Sequence, residues 1–584
     1  AEECEQFCKQ LSGIPTNPGF PHLQHGCTTL IGWQQIIQHV LPMLKHYRAR
    51  FPPEVSRKRK SRNGKYSAKS TPAISKNIEE RANLPFHSCL NEESTMNSLM
   101  YMFFHMRCGI FVMIRDGKVR MFVPFVNDEY RNTFSNLIHM DSSDGTLGTY
   151  YKEKLEKWPG MEENIIPDKA EWWANANILC NQHKGVGEKN TNYWGDHHLL
   201  HIRDMLEELC SKREISDLEF FVNKRDHPQL KRDLTEPYDF IFLNDEKDKP
   251  PPLKRTRYKS YAPIFSYYVG SKFADFPFPL SDDWASATGS VFPDSMKQNS
   301  RGGSDLYAAE NFKKFIVPWE KKTATAFFRG NITGGGVDKE TNQRVLLMTM
   351  SCEWESDPKK NGAVPYLNAK GTGWNIRDKK LTFSRKVTYP KREAFAFDSG
   401  RQNYVKMYKQ STFKYNIYVD GHSAANRYAF LMRLGCVIFR VTSLDTCAGN
   451  SMWYYPILQP YDIHGKKSVA VAKKGNAKSI QKAPDYLPIK ADFSDLEETI
   501  RWCRENDDKC KQIAENAMTK HAYYMMEDGI LDYLEFTFNR ISENCESAPW
   551  WFKRPKNSIH VPKIDSFSGQ VHWQFGKNFE EKWT

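Results

Sequence analysis

The sequence predicts an α/β protein assembled from strand–turn–helix units, and three stretches carry that expectation. The first, "FKYNIYVDGHSAANRYAFLMRLGCVIFRV", covers residues 413–441. Its β-branched and aromatic run 413–419 reads as a buried strand, residues 424–434 have helical spacing, and 436–441 read as a second strand. Ser423 stands where an N-cap belongs and Gly435 where a helix stops. A strand, a crossover helix and a strand together indicate parallel pairing. The second stretch, "WEKKTATAFFRGNITGGGVDKETNQRVLLMTMS", gives a strand at 324–328 that runs into Arg329 and Gly330. A Gly334-Gly335-Gly336 loop follows, then a helix near 340–350 with Arg344 in its first turns. In the third, "ISDLEFFVNKRDHPQL", a strand Leu218–Asn223 ends in a charged cluster, where α/β proteins place site residues.

The remaining elements follow in chain order. Residues 28–50 form an amphipathic helical pattern interrupted at Pro42, which predicts a kink or two helices. The apolar stretch 96–114 contains Asn97, His105 and Arg107 and leads into a hairpin at Asp116-Gly117, so it reads as core and not as a membrane span. Residues 184–209 carry a turn and a helix with His197, His198 and His201; lacking acidic or Cys partners at matching spacing, these read as helix-surface histidines. Near the end, Ser494 and Glu497 stand at capping-box distance before a helix, and another helix follows Asp507. The polar, Gly-rich segment 296–306 is the expected joint between two α/β halves. The resulting division is 1–75, a helical extension and basic linker; 76–300, a first domain; 301–545, a second; and 546–584, a tail.

Bulk properties narrow the class without choosing a function. With 584 residues, 40% hydrophobic and 26% charged, the chain has ample length for two cores. A net charge of +13 is partly local, concentrated in "RKRKSRNGKYSAKS" (57–70) and in 466–484. Both runs read as solvated flexible segments; without interleaved aromatics or zinc-finger spacing, nucleic acid is not an expected partner. Thirteen scattered cysteines without a C-x-x-C pair read as reduced thiols and offer no zinc site. The acidic, polar start "AEECEQFCKQ" is not a secretory signal, which sets a cytoplasmic expectation.

The 413–441 stretch taken alone reads as a plain crossover. The alternative is a phosphate-holding turn, in which Gly421 allows a tight bend and free amides of the helix start meet an anion. Order along the chain decides between them. "DLEFFVNKRDHP", "APIFSYY", "AFFRGNITGGG", "NQR", "KYNIYVDGHSAANRY", "GCVIFRV" and the segment ending "IAENA" follow one another from about 216 to 517. This series resembles the CAP10-like glycosyltransferases, the family of protein O-glucosyltransferases and capsule xylosyltransferases. Residues 106–132 also resemble the amino-terminal part of CAP10-like proteins of large DNA viruses.

The resemblance implies a GT-B fold, two Rossmann-like domains facing a cleft. It implies inverting transfer of a sugar, glucose or xylose, from a UDP-sugar to a protein or glycan hydroxyl, with no metal or other cofactor. The family's general base falls on Asp226, and its nucleotide-sugar contacts fall on Arg329, Gly330, Gly421, His422, Ser423, Ala424, Ala425, Asn426 and Arg427. Arg344 joins them on physical grounds, as a cation beside a helix start. A catalytically inactive, structural or virion-associated relative with the same fold is the alternative.

Overall fold

The computed structural model describes residues 41–52, 71–106, 108–126, 194–223, 225–235, 258–289, 315–334, 336–376, 394–444, 447–465, 468–546, 563–564 and 571–572. Helices α1 (Leu41–Arg50), α2 (Pro72–Ala82) and α3 (Glu92–Met100) precede the first sheet, α3 continuing into a π-helical turn, Tyr101–Met106. Strands β1 (Cys108–Arg115) and β2 (Lys118–Val126) form the hairpin signalled by Asp116-Gly117. Both turn residues have positive φ, 52° and 66°, as a two-residue turn between twisted strands requires. Helix α4 (Trp194–Lys212) leads to β3 (Leu218–Asn223), followed by β4 (Ile264–Ser266), β5 (Phe276–Pro277) and α5 (Ser281–Thr288). The sheet order is β2-β1-β3-β4-β5. Strands β3, β4 and β5 are parallel, whereas β1 runs antiparallel to both neighbours, so the first half is mixed.

Pro42 lies within the described part of α1, Leu41–Arg50. Leu44 and Tyr47 of this helix enter the first core, and Arg48 reaches the wholly buried Glu219 of β3, which also binds Arg115 and Thr95.

In the second half β6 (Thr323–Ile332), α6 (Gln343–Glu355), β7 (Leu367–Trp374), β8 (Phe413–Tyr418), α7 (Tyr428–Arg433), β9 (Val437–Val441), α8 (Ala477–Lys482) and β10 (Leu487–Ile489) form a sheet of order β10-β9-β8-β6-β7. All its pairs are parallel. Helices α9 (Leu496–Glu505) and α10 (Asp507–Tyr524) follow. The last long helix, α11 (Glu527–Glu546), then returns to the first half. There Phe538 packs 4.9 Å from Phe220 and 5.1 Å from Phe265, and the Tyr533 hydroxyl donates to the Pro277 carbonyl at 2.9 Å. Chain order and spatial domain therefore part company at α11.

Several expectations need correction. The helix after Asp420 spans only Tyr428–Arg433, not 424–434, and Ser423 does not cap it; the reason lies in the site. His201 is buried in the face of α4 that meets the core, not on the helix surface, while the side chains of His197 and His198 lie outside the described residues. Asp495, not Ser494, stands at the start of α9, and its carboxylate accepts from the Lys490 amide at 3.0 Å. Of the run 466–484, the described lysines Lys473, Lys474, Lys478 and Lys482 are exposed, but the backbone is anchored. Ile480 is buried, and the Ala472 amide donates to Asn516 at 2.9 Å. The basic run 57–70 and the joint 296–306 lie outside the described residues. Among the described residues no helix is long and apolar enough to cross a membrane.

Candidate active site

Strands β6 and β8 are neighbours, yet their crossovers leave in opposite directions, β6 to β7 and β8 to β9. Loops after such a pair diverge and open a crevice at the strands' carboxyl ends. Arg344 closes its floor. The Asn342 side chain caps α6, accepting from the amides of Arg344 at 2.9 Å and Val345 at 3.2 Å. From that first turn Arg344 Nε donates to the Asp420 carbonyl at 2.9 Å and Nη2 to the Val419 carbonyl at 3.1 Å. Its Nη1 donates to the Asn331 carbonyl at 2.6 Å and the Thr333 hydroxyl at 2.8 Å. One guanidinium thus staples the β6 loop to the β8 loop. Burial first, then repulsion from Arg427, pushes its pKa down to about 9, so it remains a cation at neutral pH. Burial pushes the neighbouring Asp420 carboxyl up, opposed by the Ser443 hydroxyl that donates to it.

Arg427 is the second cation. Its guanidinium lies 5.4 Å over the Phe328 ring and donates through Nη1 to the Arg329 carbonyl. Nε is buried with no hydrogen-bond partner among the described residues, which leaves this half-buried arginine with donors for an anion. Gly330 makes its approach possible, since a Cβ there would lie 2.9 Å from Arg427 Nη2. Arg329 itself points elsewhere: its guanidinium stacks over Phe327 and donates to the Asn368 carbonyl at 2.9 Å and side-chain oxygen at 2.8 Å, on β7. Burial lowers its pKa to about 10. The backbone of Arg329 meets the crevice cation; its side chain braces the sheet.

The turn 421–427 differs from its expected form. Gly421 is required for close approach and not for a left-handed bend: a Cβ would lie 2.6 Å from Thr333 Oγ1 and 3.0 Å from Arg344 Nη2. The Gly421 amide donates to the Ser423 carbonyl at 2.9 Å and the Ala424 amide to the Gly449 carbonyl at 2.7 Å. Neither of these two amides is free for a phosphate. His422 Nδ1 sits 3.3 Å from the Gly334 amide and 3.2 Å from its carbonyl, tying the two loops together. The Ala425 carbonyl accepts from the Tyr418 hydroxyl at 2.9 Å, and Asn426 Nδ2 donates to Asp282 Oδ2 at 2.8 Å. These contacts hold residues 421–426 out of helical geometry, which delays α7 to Tyr428.

In the first half, Asp226 stands exposed beyond the carboxyl end of β3. Its loop is rigid. Asn223 Nδ2 donates to the His227 carbonyl at 2.6 Å, and its Oδ1 accepts from the Arg225 amide at 2.8 Å. The Asp275 carboxylate accepts from the amides of Gln229 and Leu230, both at 2.8 Å. Arg225 turns inward and donates to the Met106 carbonyl at 2.8 Å. Two loops join the halves directly: Val269 and Ser451 exchange amide–carbonyl bonds at 2.9 Å, and a Cβ on Gly270 would lie 2.2 Å from the Ala448 carbonyl oxygen. Of the sequence-derived residues, Gly330, Arg344, Gly421, His422 and Arg427 converge on the crevice, Asp226 meets the 421–427 turn through its backbone carbonyl, which accepts from Ser423, and the Arg329 guanidinium does not join them. Thr333, Ser443, Gly449 and Asp282 add contacts that were not legible in sequence. Asp282, for instance, lies in the first turn of α5, where an acidic residue is common and draws no notice.

Comparison with known proteins matches the stretch that holds these residues. Residues 197–445, which include Asp226, both arginines and the whole 421–427 turn, match the family model described as Glycosyl transferase family 90. That stretch is similar to family 90 glycosyltransferases. Among curated proteins, an uncharacterized protein of Invertebrate iridescent virus 6 is 32% identical over 76% of this chain and 37% of its own length. One from Invertebrate iridescent virus 3 is 30% identical over 82% of this chain and 38% of its own length. Protein O-glucosyltransferase 1 of Rattus norvegicus is 24% identical over 60% of this chain and 67% of its own length. The chain thus spans well under half of the viral relatives it matches. The matched stretch takes in β3 to β9, so strands of both sheets fall within it.

Proposed function

We propose that this chain is a GT-B-type inverting glycosyltransferase that moves glucose or xylose from a UDP-sugar to a hydroxyl of a protein or glycan. The observation that carries the reading is the pairing of Arg427 and Arg344 at the β6/β8 crevice with an exposed carboxylate, Asp226, at the facing strand end. In such a reaction the acceptor oxygen attacks the anomeric carbon, the bond to UDP breaks, and UDP departs with the electron pair. Two guanidiniums at the departing diphosphate stabilise that developing charge, so the reading requires no metal. On the opposite side Asp226 takes the acceptor's proton. The name of the protein O-glucosyltransferase relative supports glucose and a protein acceptor, and the viral relatives support a viral origin.

A panel of nucleotide sugars scored for UDP release, with and without glycan acceptors and with excess EDTA, tests the reading. UDP-glucose or UDP-xylose turnover that survives EDTA is the expected result. Strict divalent-ion dependence, or preference for a GDP-sugar, would sink it. UDP binding without any turnover would assign the chain to a non-catalytic relative that keeps the fold.

A further inference from the structure

Ser423 belongs to the segment matched to nucleotide-sugar contacts, but its hydroxyl faces the other half of the molecule. It is buried, donates to the backbone carbonyl of Asp226, and lies 3.2 Å from His227 Nδ1. The next three residues are each held by a different element: Ala424 by Gly449, Ala425 by Tyr418, and Asn426 by Asp282. Two of these four anchors, Asp226 and Asp282, come from the first half. There is no slack behind Ser423, because a Cβ on Gly449 would lie 3.1 Å from Ser423 Oγ, 2.8 Å from Tyr268 Cβ and 3.2 Å from Pro228 Cδ. On the facing side the Asp226 loop is itself fixed by Asn223 and Asp275. The Ser423 hydroxyl therefore joins two rigid bodies, one carrying the carboxylate and the other carrying Arg427.

We propose that Ser423 is a positioning residue and not a phosphate ligand: its hydroxyl sets the separation between the Asp226 carboxylate and the arginines that receive the departing diphosphate. This role rests on the donor and base assignments above. Displacement at the anomeric carbon needs nucleophile, carbon and leaving oxygen in line, and a misplacement of about 1 Å costs on the order of a hundredfold in rate. A single hydrogen bond from the donor turn to the backbone of the base residue is a direct way to fix that line.

The test compares the full chain with Ser423→Ala, Asp226→Asn, the double variant and Arg427→Ala. Calorimetry gives UDP affinity, and UDP release from saturating UDP-glucose and UDP-xylose gives the rate. Ser423→Ala is expected to hold UDP affinity within about twofold while slowing release by roughly ten- to a hundredfold. In the Asp226→Asn background the same change should add nothing, since there is no base left to position. Gly449→Ala, which crowds Ser423 from behind, should reproduce the pattern and stands in should Ser423→Ala fold poorly. Weakened UDP binding with an unchanged saturated rate would make Ser423 a phosphate ligand. Losses that multiply in the double variant would also overturn the proposal. Full activity of Asp226→Asn alone would refute the base assignment and the positioning role with it. Loss of UDP affinity in Arg427→Ala, with Ser423→Ala unaffected in both readouts, would spare the donor reading and remove only this inference.

Discussion

Arg427 and Arg329 show how two arginines in neighbouring motifs acquire different work. Arg427 has one carbonyl partner, an aromatic ring beneath it and donors left over. Arg427→Ala is expected to weaken UDP binding by about 1.5–3 kcal/mol, the worth of a hydrogen bond to a charged group, with little change in the unliganded melting temperature. Arg329 also has a buried Nε without a partner among the described residues, but its Nη1 and Nη2 are committed to Phe328 and Asn368 and its plane lies over Phe327, so Arg329→Ala should lower the melting temperature and leave UDP affinity nearly intact. Parallel calorimetry and thermal melts separate the two; an inverse result would exchange their roles. For Asp226 the shape-preserving change to Asn should keep UDP affinity and cut transfer by roughly a hundredfold or more. Near-normal turnover in an assay limited by chemistry would end its candidacy as the base.

Among the elements, the strands were more legible than the turns. Leu218–Asn223 was read to the residue because its apolar run is closed by charge on both sides, and the Phe413–Tyr418 strand was read to within one residue. Strands β4 and β5 are three and two residues long, too short to leave a periodic signal, and were missed. The turn after β8 failed for another reason. Ala424 and Ala425 favour helix locally, but Gly449 and Asp282 come from distant parts of the chain and Tyr418 from the strand before the turn, and their hydrogen bonds outweigh tenths of a kcal/mol of propensity. The crevice itself was legible through its glycines, although the reason is steric. Gly421→Val should drive the Thr333 and Arg344 loops apart, weakening UDP binding at least tenfold while the two sheets stay folded. Asn342→Ala should cost about 1 kcal/mol of stability through the lost α6 cap, readable by urea denaturation. A Gly421→Val variant that binds UDP normally would show that the crevice is not the nucleotide site.

At the scale of the whole molecule, the halves are coupled by α11, which leaves the second half and packs into the first, and by the seam at Val269–Ser451. The first half also holds a concentrated ionic load. Glu219 is wholly buried on β3 between Arg48 and Arg115. Burial alone would raise its pKa, but the two arginines and the Thr95 hydroxyl overcome that and hold it at about 2. A carboxyl depressed by folding stabilises the protein above its unfolded pKa and loses that contribution as pH falls toward the folded value. The window is therefore about pH 4.5 down to about 2, and the contribution is about 3 kcal/mol at 1.36 kcal/mol per unit. Asp275 acts in the opposite sense. Burial raises its carboxyl to about 6, so protonation between about pH 6 and its ordinary range favours the folded state and softens the first part of the acid loss. Urea denaturation of the full chain at pH 7, 5, 4 and 3 should show stability falling most steeply below pH 4.5. Glu219→Gln should be several kcal/mol less stable at pH 7, because it leaves Arg115 buried without its counter-charge, and its stability should change less between pH 4.5 and 3. If the variant keeps the full acid dependence, the loss originates in other carboxylates, and the Arg48–Glu219–Arg115 cluster is not what ties α1 to the sheet.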